Sequence, residues 1–200
     1  MKKGLLIGLG ALGAAVVLLG ILLGILGIWS IALNNRFVTL QENVHSAWGQ
    51  VETVLQRRYD LIPNLVNTVK GYAKHEKGVL EEVTRLRSQW GSARTVDEKV
   101  KAAGQLEGPL SRLLIVAEQY PELKADTNFR DLQFELAGTE NRIAVERERY
   151  NDAVRAYNTA VRKFPGSLIA GMRGFVPNAA YFGAASDAEK APKVDFGADK

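Results

Sequence analysis

The sequence predicts an all-α protein: an N-terminal transmembrane helix followed by an antiparallel up-and-down bundle of three long helices, or four if the chain breaks at Pro63. Three observations carry this reading. Gly4 to Leu33 is an apolar run without a charged residue. Behind it, apolar residues recur every seven positions over two long stretches, the stripe of helices packed in a bundle. No stretch shows the apolar–polar alternation of a half-buried strand. The implied division is an anchor at 1–35, a bundle with an aromatic C-terminal segment at 36–183, and a disordered tail at 184–200.

As a helix the apolar run would measure roughly 45 Å, against roughly 30 Å of bilayer hydrocarbon. A cleaved secretory signal has an apolar core of only about 7–15 residues, so an uncleaved anchor is expected. Gly20 and Gly24, like Gly4 and Gly8, have the G-x-x-x-G spacing that lets two helix backbones approach, and mark a candidate helix-dimer contact. Gly8, Gly10 and Gly13 match a dinucleotide fingerprint in letters only, because no strand precedes them and apolar residues follow. Lys2 and Lys3 flank one end of the run and Arg36 the other. The Lys/Arg count therefore puts the N terminus in the cytoplasm and the bundle outside it.

The first long stretch repeats at Val44, Val51, Arg58, Leu65, Tyr72, Val79 and Leu86, and four positions on at Trp48, Leu55, Ile62, Val69, Glu76, Val83 and Trp90. Pro63 either kinks this helix or starts a new one behind Asp60. The unchanged phase across it favours the kink. Unbroken, the helix would run roughly 70 Å, against roughly 37 Å for its successor. Either a partner molecule covers the surplus, or the chain turns back near Pro63. Thr95 and Glu98 form a capping box for a second helix from about 96 to Tyr120, with Pro109 inside and Pro121 ending it. A third starts near Thr127, repeats at Phe129, Leu136, Ile143, Tyr150, Tyr157 and Phe164, and stops at Pro165-Gly166.

Little in the chain points to catalysis. A formal charge of +4 is mild, and the absence of cysteine removes disulfides, thiol nucleophiles and cysteine metal sites. His75-Glu76 begins H-E-x-x-H, but Val79 stands where the second histidine belongs, and no Glu-x-x-His of a di-iron bundle occurs. No catalytic, cofactor-binding or metal residue and no small-molecule substrate is expected. Arg57, Arg58, Arg147, Arg149 and Arg155 alternate with acids, which makes no stripe for nucleic acid. Arg58 and Glu76 do interrupt the core stripe. With Glu140 and Glu146 beside the stripe of the third helix, they are candidates for a buried ion pair that fixes register. After the third helix come Phe164, Leu168, Ile169, Met172, Phe175, Val176, Tyr181 and Phe182, with Arg173 the one charge among them. This segment packs on the bundle, lies in the membrane interface or docks a partner.

Four segments carry a resemblance: NVHSAW at 43–48, QRRYDLIPNLVNTVKGYAKHE at 56–76, NFRDLQFELAGTENRIAVERERYN at 128–151 and YNTAVRKFPGSLIAGMRGFVPNAAYF at 157–182. In these the chain resembles the LemA family. The resemblance implies a single-pass bacterial membrane protein with a helical-bundle domain and no known enzymatic activity. It also implies an N terminus outside the cell, the reverse of the charge count. The functional expectation is a non-enzymatic scaffold or adaptor in the inner membrane of the cell envelope. Its partners would be the bilayer and a membrane or envelope protein, or a second copy of itself. The alternative is an enzyme or envelope-stress component with a site of helix carboxylates and arginines such as Arg58 and Glu76.

Overall fold

Helices form where the heptads run, and the chain reverses where two successive heptad positions lose their apolar residues. The computed structural model describes residues 2–73, 75–178 and 180–183, with side chains from Val16 onward; the expected tail at 184–200 lies outside the described residues. Helix α1 spans Lys2–Tyr72 and contains Pro63. Helix α2 spans Lys77–Ser92, α3 Val96–Glu118, α4 Pro121–Ala125, α5 Thr127–Arg162 and α6 Gly166–Arg173. No strand occurs among the described residues. Two compact units divide the chain, one of Met1–Ser46 and Ala153–Asn178, the other of Ala47–Asp152 and Ala179–Lys200.

In the second unit four helical stretches alternate in direction. Pro63 neither ends α1 nor starts a new helix. The turn comes at Ala73–Glu76, between Tyr72 and Lys77. Leu65 and Val69 are fully buried, the small Ala73 is buried within the turn while Tyr72 is exposed, and the large buried side chains resume at Leu80 and Val83. The return leg is fixed by Tyr59 stacked on Trp90, ring centroids 4.2 Å apart and 11° between planes. Such a pair contributes about 0.5–1.5 kcal/mol beyond its buried area.

Thr95 accepts from the Glu98 backbone N–H and the Glu98 carboxylate returns to the Thr95 N–H, so α3 starts with a complete capping box. Two backbone hydrogen bonds, from Arg94 first and Thr95 second, hold the Glu98 carboxyl below the usual range. The α5 stretch runs antiparallel to α1, since Trp48 meets Tyr150, Arg58 meets Glu140 and Tyr72 meets Asp126. Phe129, Leu136, Ile143 and Tyr150 line the buried face of α5.

In the first unit Phe37 is fully buried. Phe175 lies against it edge-on, ring centroids 5.4 Å apart. The side chains of α1 from Val16 to Ile28 that are large and apolar are all exposed. Phe164, read from the heptads as core, is exposed. The reason is that α5 has already ended at Arg162, so the repeat no longer governs where that side chain points.

Candidate functional site

Three features could carry function: a polar cluster and a groove in the second unit, and a C-terminal segment clamped within each unit. Arg58 is the buried charge of α1, 8% exposed, and its Nη1 donates to Glu140 Oε2 on α5. One turn along α5 from Ile143, Arg147 Nη1 lies 2.6 Å from Glu107 Oε1 on α3. Between these pairs stands Tyr59, whose phenol burial pushes well above its ordinary range, Arg58 and Arg147 offsetting part of that. Each arginine here has its own carboxylate, so the cluster is internally neutral and ties α1 and α3 to α5. Glu76 is not brought to it. It stands just before α2, part-exposed, in the N-cap position without a side-chain capping bond. Glu146 is not brought to Arg58 either; it accepts from Arg149 one turn away at 2.7 Å.

The groove lies between the last turns of α1 and the first turns of α2, about 750 Å³ in volume. Val66 and Leu80 form its floor, and Lys70, Lys77, Glu81, Thr84 and Arg85 its rim. Three cations against one carboxylate make the rim basic. An open apolar floor with a few charged groups around it is the form of a helix-binding groove more than of an enclosed substrate site. Among the described residues, no group of three or more histidine, aspartate or glutamate side chains is placed to hold a metal ion. His45 and His75 are both exposed.

The C-terminal segment is held to α5 by asparagine side chains acting as backbone surrogates. In the second unit Asn151 Nδ2 donates to the Phe182 carbonyl at 2.9 Å, and the Phe182 N–H donates back to Asn151 Oδ1 at 3.0 Å. Phe182 thereby stacks on Trp48 and meets Tyr150 edge-on, with the Arg147 guanidinium 4.9 Å above its ring. In the first unit Asn158 makes the same two bonds to Asn178, at 2.8 and 2.7 Å. Tyr157 donates to the Val176 carbonyl at 2.9 Å, and burial raises its phenol pKa.

Gly20 and Gly24 lie on exposed α1, with nothing within 4 Å of where a Cβ would stand. The helix is long and apolar enough to cross a membrane. Of the aromatic segment, Phe182 is buried and Ile169 and Phe175 half-buried, whereas Phe164, Leu168, Met172, Val176 and Tyr181 are exposed.

Residues 47–196 match the profile of the LemA family. The chain belongs to the LemA family. Similar proteins include Magnetosome protein MamQ 2 of Paramagnetospirillum magneticum, 29% identical over 74% of this chain and 64% of its own length. Magnetosome protein MamQ of Magnetospirillum gryphiswaldense is 28% identical over 70% and 61%. Protein LemA of Metamycoplasma hominis is 23% identical over 68% and 63%. The chain thus spans less than two thirds of the length of these relatives. None of their names denotes an enzyme.

Sequence reasoning on this LemA-family chain missed the groove, the Arg147–Glu107 pair and both asparagine clamps. The clamps had a local signal: Asn151 and Asn158 sit one heptad apart, directly after Tyr150 and Tyr157 of the buried stripe. Polar residues repeated beside a core stripe need partners, and here the partners are the backbone of the following segment.

Proposed function

We propose that this chain is a membrane-tethered, non-enzymatic adaptor of the bacterial cell envelope. Helix α1 holds it as a single span in the cytoplasmic membrane, and the α1–α2 groove takes an acidic amphipathic helix of a partner protein. The groove carries this reading: an apolar floor of Val66 and Leu80 under a rim of Lys70, Lys77 and Arg85. A partner helix with apolar residues three and four apart fills such a floor, and carboxylates on its flanks meet the cations. Exposed ion pairs contribute only about 0.2–1 kcal/mol each, so the rim selects the sign of the partner while the floor supplies affinity. Lys2 and Lys3 outnumber Arg36 near the span, which supports a helical part outside the cytoplasm. The open Gly20/Gly24 face accommodates a second span.

The test uses the full chain in nanodiscs and two labelled amphipathic peptides, one of leucine and glutamate, one of leucine and lysine. The acidic peptide should bind, and Lys70→Glu with Lys77→Glu and Arg85→Glu should weaken it by about tenfold while admitting the basic one. Equal binding of both peptides, or indifference to the triple change, would overturn the groove as the adaptor surface. Labelling of Ser92→Cys by an impermeant maleimide in cells with an intact inner membrane supports the outside placement. Labelling only after lysis reverses it.

A further inference from the structure

The segment after α5 divides cleanly by face in the first unit. One face is seated on α1. Phe175 packs on Phe37, and a Cβ at Gly166 would stand 3.2 Å from Phe37 Cζ and 2.6 Å from the Ala160 carbonyl oxygen. Only a glycine allows α6 to lie this close. Gly174, at φ +79°, then ends α6 in the left-handed conformation and turns Phe175 inward. Opposite the buried Gly166 and Ala170, Leu168 and Met172 stand one turn apart on α6, exposed by 60% and 82%, and Phe164 just before the helix and Val176 just after it are exposed by 74% and 72%. Large apolar groups scattered singly over a surface need no explanation, but four exposed within thirteen residues of one short segment mark a contact.

We infer that this face is seated in the headgroup layer of the bilayer as an interfacial wedge that favours anionic phospholipid. The inference rests on α1 being the span, and independent observations agree on depth and charge. Phe37 lies four residues beyond Leu33, the end of the apolar run, which is about 6 Å along the helix axis. The polar layer on each side of the hydrocarbon is roughly 5–8 Å thick. With the outer end of the apolar run set at the hydrocarbon boundary, holding α6 at Phe37 puts its outer face at headgroup depth.

Charge selects the occupant. Arg36, Arg162, Lys163 and Arg173 are exposed in this unit, where Glu42 is the one acid, and no aspartate or glutamate occurs from 153 to 186. Apolar residues with basic flanks are what an interfacial helix on anionic lipid requires. A second copy of the same face would set like charges against each other.

The missing cysteines make the test direct. Met172→Cys, with Ile21→Cys in the span and Ser92→Cys in α2 as references, is labelled with an environment-sensitive dye. Each full-length variant is placed at one chain per nanodisc, in phosphatidylcholine with or without phosphatidylglycerol. Nitroxide lipids labelled near the headgroup should quench the Met172→Cys probe more than deep ones, with a blue shift that strengthens with phosphatidylglycerol. Arg162→Gln with Lys163→Gln and Arg173→Gln should abolish that lipid dependence. The Ser92→Cys probe should stay open to iodide. If the Met172→Cys probe is as open to iodide as the Ser92→Cys probe while the Ile21→Cys probe is shielded, the wedge is overturned and the span stands. If the Ile21→Cys probe is also open, both fall. Shielding at position 172 that needs two chains per disc assigns the face to a second copy and overturns the lipid reading.

Discussion

Arg87 Nε donates at 3.2 Å to the carbonyl of Tyr59, the carbonyl that Pro63 deprives of its donor four residues on. In an ordinary helix the amide of residue 63 would close that bond; proline has none. Helix α1 runs on past Pro63, and the freed acceptor is taken by a side chain from the returning helix α2. The proline thus creates a docking point for the hairpin rather than breaking the helix. Arg87 is half-buried, so water is a poor substitute for it.

The coupling between the two residues is measurable. Arg87→Met keeps the aliphatic stem but orphans the Tyr59 carbonyl, and should cost about 1–2 kcal/mol. In a Pro63→Ala background the backbone amide returns, so the same change should cost much less. Urea melts of the four variants in detergent give the interaction energy as a double-mutant cycle. Equal cost in both backgrounds would disprove the link.

Arg58 and Glu140 offer a second asymmetry. The guanidinium is buried and the carboxylate half-exposed. Glu140→Gln leaves a buried cation without its counter-charge and should destabilise by about 1–3 kcal/mol. Arg58→Leu removes the charge altogether and should cost less, while loosening the register that the pair fixes. The expected sign of that loosening is a broader thermal transition and weakened near-ultraviolet dichroism. A sharp, unchanged transition in Arg58→Leu would remove the register role.

What the sequence discloses here depends on how local the cause is. Thr95 and Glu98 lie three residues apart and recognise each other within one turn, so the start of α3 is legible. The reversal at Ala73–Glu76 is not, because the seven-residue phase happens to continue from Leu65 and Val69 into Val79 and Val83. Its signal is weaker: Tyr72 and Glu76 break both stripes within one heptad, between Gly71 and Gly78. Pro63 drew attention as the more obvious breaker, but its cost is met from α2, which no local pattern records. Helix α6 was hidden by Pro165 before it and by Gly166, Gly171 and Gly174 within and after it. Two of those glycines serve packing and termination, roles that appear only once Phe37 and Ala160 are in place. The groove depends on where α2 returns, so it follows the hairpin and could not be read before it.

Alkaline titration should single out Tyr59. Its phenol pKa is raised in the folded state, first by burial, so folding favours the protonated form. A raised folded pKa gives stability that is full below the unfolded value of 10.0 and declines as pH rises above it. The hydroxyl makes only a long contact to the Ala102 carbonyl, 3.4 Å, so Tyr59→Phe should cost less than about 1 kcal/mol at neutral pH. Above pH 10 the variant should lose stability less steeply than the parent. Parallel slopes through that window would show that Tyr59 ionises without burial cost.

The asparagine clamps should act one residue at a time. Asn151→Ala removes both bonds to Phe182, and Asn158→Ala both bonds to Asn178. Each loss of about 1–2 kcal/mol corresponds to a roughly five- to thirtyfold rise in local opening. Amide exchange read by mass spectrometry should therefore accelerate at Phe182 in the first variant and at Asn178 in the second. Asn151→Asp separates the two halves of the clamp. Its carboxylate still accepts from the Phe182 N–H but no longer donates to the Phe182 carbonyl, and it repels that oxygen. Protection of the Phe182 amide should fall between parent and Asn151→Ala. The Arg147 guanidinium beside Phe182 sharpens the expectation, because a carboxylate introduced near it gains an attraction that alanine lacks. If Asn151→Asp exchanges as fast as Asn151→Ala, the donated bond to the carbonyl is the one that holds the segment.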